Sequence, residues 1–78
     1  MRHYKTDTVA LRKLMIDAGH NTISELAKAS GIDRTTMGKI INGKAQPSAE
    51  QMDKLVLSLN MDPGIAGSVF FTQNLRNA

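Results

Sequence analysis

The sequence predicts an all-α fold, a compact bundle of four to five short helices. Apolar residues recur at intervals of three and four along most of the chain, and no segment sustains the alternation typical of strands. Residue types that cap helices precede the periodic segments, and Gly or Asn-Gly follows the first three. With 78 residues, the chain is expected to form one domain, residues 1–78.

The first helix is predicted at about residues 8–18 and the second at about residues 22–31. Thr6 or Asp7 can cap the first helix, and Gly19 suits its left-handed end. The inward stripe of the first helix is Leu11, Leu14, Met15 and Ala18. The second helix begins with the capping-box spacing Thr22-x-x-Glu25.

The third and fourth helices carry equally clear start signals. Asp33 can accept free amide hydrogens at the start of the third helix, and Asn42-Gly43 ends it. Ser48-x-x-Gln51 forms a second capping box and starts the fourth helix. The inward residues are Met37, Ile40 and Ile41 in the third helix and Met52, Leu55, Val56 and Leu59 in the fourth.

The signals weaken after residue 60. Asp62-Pro63 is a cap followed by proline at the first helical position, which predicts a short fifth helix carrying Ile65, Ala66 and Val69. Residues 69–72 form the only β-prone run and contain both phenylalanines. We expect this apolar excess either to pack on the first helix or to cross a two-fold axis.

The composition excludes several classes of function. The chain has no cysteine, which excludes disulfides and thiolate metal sites and favours a reducing compartment. It has no apolar run near the ~20 residues of a membrane span and no signal-peptide pattern, so we expect a cytoplasmic location. A chain this small has little room for a catalytic cavity. We therefore expect no enzyme, no cofactor and no metal.

The net charge of +3 is unevenly distributed. Residues 1–44 contain eight basic and four acidic residues, a net charge of +4. Residues 45–78 contain two basic and three acidic residues, a net charge of −1. A basic surface in the first half is what a polyanionic partner requires, although solvated helix faces could produce the same asymmetry.

The join between the second and third helices is the most informative part of the sequence. Two short helices crossing at ~90 to 120° need a small residue at their closest approach, a turn residue that tolerates positive φ, and apolar residues behind the second helix. Ala27 and Gly31 meet the first two needs, and Ile32, Met37 and Ile40 meet the third. This pattern predicts a helix-turn-helix.

With this motif the chain resembles the phage repressor and Cro-like helix-turn-helix regulators, often called the Xre family. The resemblance covers about residues 8–62 and rests on the ordered segments Gly19, Thr22-x-x-Glu25-Leu26-Ala27, Gly31-Ile32-Asp33-Arg34-Thr35-Thr36 and Asn42-Gly43-Lys44-x-x-Pro47-Ser48. It implies a lambda-repressor-like DNA-binding domain that binds operator DNA as a dimer to control transcription.

Base contacts are expected from the outward face of the third helix. Arg34 can reach guanine O6 and N7 together, and Thr35 can offer a hydroxyl or touch a thymine methyl group. Lys39 lies one turn further on and can reach a base or a phosphate. Family members read bases from these positions; the alternative is that Arg34 and Lys39 are ordinary solvated charges. A glycine at position 38 would allow the backbone of the third helix to approach DNA or a partner closely, but neutral sequence drift would also explain it.

Phosphate contacts are implied by the resemblance at the start of the second helix and in the loop after the third. The predicted residues are Thr22, Ile23, Ser24, Thr36, Asn42, Gly43, Lys44 and Gln46. The chain departs from the family at Ile23, where a glutamine usually contacts phosphate and braces the reading helix. Met15 and Ile41 replace a commonly buried ion pair, and Ser30 replaces an apolar residue.

The resemblance places the dimer contact on the fifth helix. We therefore expect Ile65, Val69 and Phe70 at a homodimer interface, within a C-terminal dimerisation segment of residues 63–78. The expected function is a small phage or mobile-element repressor of double-stranded DNA sites. The alternative is a protein-interaction module on the same scaffold, an antirepressor or antitoxin that binds another regulator or a toxin. The residue at 23, Gly38 and the low net charge favour that alternative.

Overall fold

A computed structural model describes residues 4–73 of the chain, and within this range it consists of five helices and a short ribbon. The elements are β1 (Tyr4–Lys5), α1 (Thr8–Asp17), α2 (Ile23–Ser30), α3 (Arg34–Ile41), α4 (Ala49–Ser58), α5 (Pro63–Phe70) and β2 (Thr72–Gln73). The predicted all-α class is confirmed. Two parts of the sequence predictions lie outside the described residues. One is the pair Arg2 and Arg76, which were included in the charge count, and the other is the last five residues of the predicted dimerisation segment.

The helix ends follow the capping residues of the sequence. Asp7, rather than Thr6, caps α1, and Gly19 has a φ of +92° beyond its end. In α4 the predicted capping box is complete, because Ser48 and Gln51 exchange both hydrogen bonds. In α2 one bond of the predicted capping box has a different donor. The Glu25 carboxylate accepts the amide hydrogen of Asn21, at 3.1 Å, and not that of Thr22.

One apolar core joins all five helices. The buried residues are Leu11, Met15, Leu26, Ala27, Ile32, Met37, Ile40, Ile41, Leu55, Leu59, Met61, Val69 and Phe70. Several residues of the predicted inward stripes lie at its margin, half-buried: Leu14, Ala18, Met52, Val56 and Ala66. Ile65 differs, because its side chain is 40% exposed.

The ends of the described chain form a ribbon that the sequence did not predict. β1 pairs antiparallel with β2, with Lys5 opposite Thr72. The β-prone run is divided between two elements: Val69 and Phe70 continue α5 and are buried, and only its last residue enters a strand. Helical spacing with Ala66 places Val69 and Phe70 on the core side of α5, which outweighs their strand propensity.

Hydrogen bonds tie the loop after α3 to the segments that flank this ribbon. The Gln46 side-chain amide donates to the Phe70 carbonyl oxygen and accepts the Thr6 hydroxyl hydrogen, the latter at 2.9 Å. The Asp7 amide donates to the Val69 carbonyl oxygen at 2.6 Å. The start of α1, the end of α5 and the loop before α4 are therefore fixed to one another.

Candidate nucleic-acid interface

The turn between α2 and α3 has the conformation that the sequence predicts for a helix-turn-helix. Gly31 adopts a left-handed φ of +76°, and its amide donates to the Ala27 carbonyl oxygen at 2.9 Å. Ser30 is buried and completes the turn, because its hydroxyl donates to Ala27 and accepts the Ile32 amide, both at 3.3 Å. These two hydrogen bonds explain how buried Ser30 can replace the apolar residue expected at this position.

Asp33 fixes the start of α3. Its carboxylate accepts the Thr36 amide at 2.7 Å. This backbone hydrogen bond, helped by the Thr36 hydroxyl and the nearby Lys39 charge, holds the pKa of Asp33 below its usual value. The carboxylate is therefore charged at neutral pH and faces the positive end of the α3 dipole.

The outward face of α3 is the predicted one. Arg34, Thr35, Lys39 and Asn42 are exposed, and Thr36 and Gly38 are half-buried. A methyl group placed on Gly38 would meet no other atom of the described chain within 4 Å. Packing inside the protein therefore does not require glycine at this position.

Arg34 is braced by Ser24 across the helix-turn-helix. The Nε–H of Arg34 donates to the Ser24 hydroxyl oxygen at 2.6 Å, which links the first turn of α3 to the first turn of α2. The resemblance implies a bracing glutamine at position 23. Here Ile23 packs half-buried against the core, and the next residue along supplies the polar contact.

The start of α2 offers amide hydrogens rather than a free threonine hydroxyl. The Thr22 hydroxyl accepts the Glu25 amide and donates to the Glu25 carboxylate, at 3.1 and 3.3 Å. Within residues 4–73, the amides of Ile23 and Ser24 have no hydrogen-bond acceptor. These two amides at a helix N-terminus are the groups there that can meet a phosphate.

The loop after α3 is held mainly by its own backbone. The amide of Gly43 donates to Ile40 at 3.1 Å, and the amide of Lys44 donates to Lys39 at 2.8 Å. Gly43 therefore offers no free amide. Its evident role is to allow the left-handed turn of the loop, because its φ is +75°. The side chain of Gln46 is also engaged, in the bonds described above, so a phosphate contact would require one of them to break.

Arg12 is a candidate that the sequence reasoning missed. Its Nη2 donates to the Asn42 side-chain oxygen at 2.6 Å, which brings an exposed guanidinium of α1 to the end of α3. The two residues are thirty positions apart, so no local spacing could have revealed the contact. The only sequence feature that points to Arg12 is the excess of basic residues within 1–44, of which it is one.

The candidate interface is basic and largely unneutralised. The one ion pair in the part of the chain that the structure describes joins Lys54 and Glu50 on α4, at 3.4 Å. Four cations lie on α3 or beside it: Arg12, Arg34, Lys39 and Lys44. All four are exposed and have no carboxylate within bridging distance among residues 4–73. Positive charge is thus available on this side of the molecule for a polyanion.

The three residues predicted for the dimer interface differ in exposure. The side chains of Val69 and Phe70 are only 4% and 1% exposed, because they complete the core between α5 and the rest of the bundle. Ile65 is 40% exposed and lies on the outer side of α5. Only Ile65 among the three presents substantial surface to a partner.

The fold and the helix-turn-helix geometry agree with a comparison against known families. The family model of the Cro/C1-type HTH DNA-binding domain matches residues 10–64. The chain therefore belongs to the Cro/C1-type helix-turn-helix family, and the predicted resemblance is confirmed. No curated protein and no solved structure matches the chain. Among the described residues, no helix has both the length and the apolar character needed to cross a membrane.

Proposed function

We propose that this protein is a small transcriptional regulator, of phage or mobile-element type, that represses by occupying operator DNA. A homodimer places one α3 in each of two major grooves about one helical turn, roughly 34 Å, apart on a pseudo-palindromic site. Bound protein excludes polymerase from the same DNA. The proposal assigns binding in the cytoplasm and no catalysis.

The bond between Arg34 and Ser24 is the observation that carries this proposal. Because Nε is held by the serine oxygen at 2.6 Å, the guanidinium loses much of the freedom of an exposed arginine. Its two terminal amino groups have no acceptor in the described part of the chain. They form the edge that matches the adjacent O6 and N7 of guanine in the major groove.

Ser24 also connects base reading to backbone docking. Its oxygen accepts the hydrogen of Arg34, and its own hydroxyl hydrogen remains available as a donor. A DNA phosphate at the first turn of α2 accepts that hydrogen together with the free amides of Ile23 and Ser24. Phosphate contacts set the register of a protein on DNA, and base contacts specify the sequence.

The remaining contacts follow from the positions of the cations. Thr35 and Lys39 continue the exposed face of α3 beyond Arg34. Arg12 and Lys44 flank the end of α3 and supply phosphate contacts on that side. The electrostatic part of the binding is independent of sequence and sensitive to salt.

The test is a salt titration of duplex DNA binding with the wild type and two variants of Arg34. The wild type should lose orders of magnitude in affinity between ~50 and ~200 mM salt. Arg34→Lys keeps the charge but lacks the rigid planar fork of the guanidinium, so it should retain the salt dependence and weaken the sequence preference. Arg34→Ala should lose sequence preference and part of the salt dependence.

The competing function is a protein-interaction module, and exposed apolar residues away from α3 favour it. Leu57 on α4 is 80% exposed and Val9 on α1 is 78% exposed. Isolated apolar residues are common on protein surfaces, so we rank this function second. Failure to retain DNA at ~50 mM salt, with a partner protein co-purifying at any salt concentration, would replace the first proposal by the second.

A further inference from the structure

A groove beside the helix-turn-helix contains two lysines from separate elements. It lies between β1 and the loop after α3, and its lining includes Tyr4, Lys5, Thr8, Gly43 and Lys44. No acidic residue lines it. Lys5 and Lys44 are both exposed, and neither has an ion-pair partner among residues 4–73. The groove therefore presents two free positive charges to whatever occupies it.

β1 is held in place on this side of the molecule. Lys5 pairs with Thr72 in the ribbon, and the next two residues are bonded to the loop before α4 and to the end of α5. The Tyr4 ring packs edge-on against Phe71, with 6.1 Å between the ring centroids. The backbone that carries Lys5 is thus positioned by the fold.

The groove continues the surface that the proposed function assigns to DNA. The ideal Cβ position at Gly43 lies 3.4 Å from the Thr8 methyl carbon, so the start of α1 abuts the loop that follows the reading helix. Lys44 belongs to that loop and also lines the groove. A DNA strand whose phosphates meet Lys44 would run next along the groove towards Lys5.

We infer that β1 forms a second phosphate-binding edge of the DNA interface, in which Lys5 and Lys44 hold the duplex backbone in the groove between them. The inference rests on the proposed function and adds a contact outside the helix-turn-helix. Phosphate contacts carry no sequence information. Lys5 should therefore strengthen binding to operator and unrelated duplexes by the same factor.

The test compares the salt dependence of binding for the wild type, Lys5→Gln and Lys54→Gln, on one preferred and one unrelated duplex. Lys5→Gln should reduce the slope of log affinity against log salt by about 0.9 for each protein copy bound. The loss should be equal on both duplexes, and Lys5→Arg should restore the slope. Lys54→Gln is the matched control, because Lys54 is a lysine on α4 already paired with Glu50. Thermal unfolding of each variant confirms that the fold is intact.

The outcomes separate this inference from the proposed function. If the wild type binds DNA with a steep salt dependence and Lys5→Gln has the same slope as Lys54→Gln, β1 is not part of the interface. If free inorganic phosphate at equal ionic strength removes the difference between the variants, the groove binds a free anion instead. A wild type that binds no duplex overturns both proposals.

Discussion

Individual residues at the α2–α3 turn determine how the candidate reading helix is presented. Gly31 supplies the left-handed turn, and Asp33 sets the first residue of α3. Ser24 then restrains Arg34 from the neighbouring helix. The arginine most suited to reading guanine is therefore partly pre-organised before any ligand arrives, which lowers the entropy cost of binding.

Removing the Ser24 hydroxyl should weaken base discrimination. Ser24→Ala frees Arg34 and should cost about 1 kcal/mol, roughly fivefold, in the preference for the favoured base. Competition binding with duplexes that differ at one base pair measures this preference. Ser24→Thr keeps the hydroxyl and should behave like the wild type. Equal discrimination by Ser24→Ala and the wild type would mean that the bond has no role in recognition.

Gly38 should show opposite effects on stability and binding. Since a methyl group there meets no atom of the described chain, Gly38→Ala should stabilise α3 by roughly 1 kcal/mol through helix propensity. If DNA approaches the backbone at this point, the same methyl group should weaken duplex binding. Thermal unfolding and DNA titration measure the two effects. Unchanged or stronger binding would show that the glycine is there by drift.

Residues near one another in the chain were more predictable than residues brought together by the fold. The caps at Asp33 and Ser48 and the turn at Gly31 follow from local spacing, and the structure confirms them. The pairs Arg34–Ser24 and Arg12–Asn42 are ten and thirty residues apart. Their contact depends on the packing of whole helices, which no single periodic pattern encodes.

At the scale of elements, the start of α3 depends on a charged cap. The Thr36 amide holds the pKa of Asp33 below its usual value. A carboxyl group whose pKa is lowered by folding stabilises the folded state fully at pH values above its unfolded-state pKa, which is about 4. That contribution is lost as the pH falls through the folded-state pKa.

Replacing this carboxylate by an amide should flatten the response to acid. Asn also caps helices well but does not titrate. Asp33→Asn should therefore lose less thermal stability than the wild type between about pH 5 and about pH 2. Melting temperatures of both proteins across this range provide the measurement. Identical acid sensitivity would indicate that Asp33 contributes nothing to the pH dependence.

The ribbon was the least predictable element of the fold. Each of its strands has two residues, too few for any periodicity to appear. Residues 69–72 are β-prone, but Val69 and Phe70 also have the helical spacing that buries them on α5, and only Thr72 of this run enters a strand. Burial in the core decided between the two possibilities.

At the scale of the whole molecule, the proposed dimer depends on α5. Ile65 is the exposed member of the predicted interface, whereas Val69 and Phe70 lie beneath it in the core. Burial of an exposed apolar side chain against a second copy is the expected source of dimer stability.

A charge at Ile65 should dissociate the dimer and leave the fold intact. Ile65→Asp should sediment as a monomer at concentrations where the wild type is dimeric, since a charge in an apolar interface is strongly unfavourable. Leu57→Asp is the matched control, because Leu57 is an even more exposed apolar residue on α4. A monomeric wild type at high micromolar concentration, or equal disruption by the control, would remove α5 from the interface.

The proposed function depends above all on α3 reading a DNA sequence through Arg34. Selection of random duplex DNA with the wild type and with Arg34→Ala tests this role of Arg34. The wild type should enrich a two-fold symmetric site with a guanine at equivalent positions in half-sites about one helical turn apart. Arg34→Ala should still bind DNA through the other cations and lose that guanine. Enrichment of no sequence by the wild type, or of the same sequence by both proteins, would show that Arg34 does not read DNA.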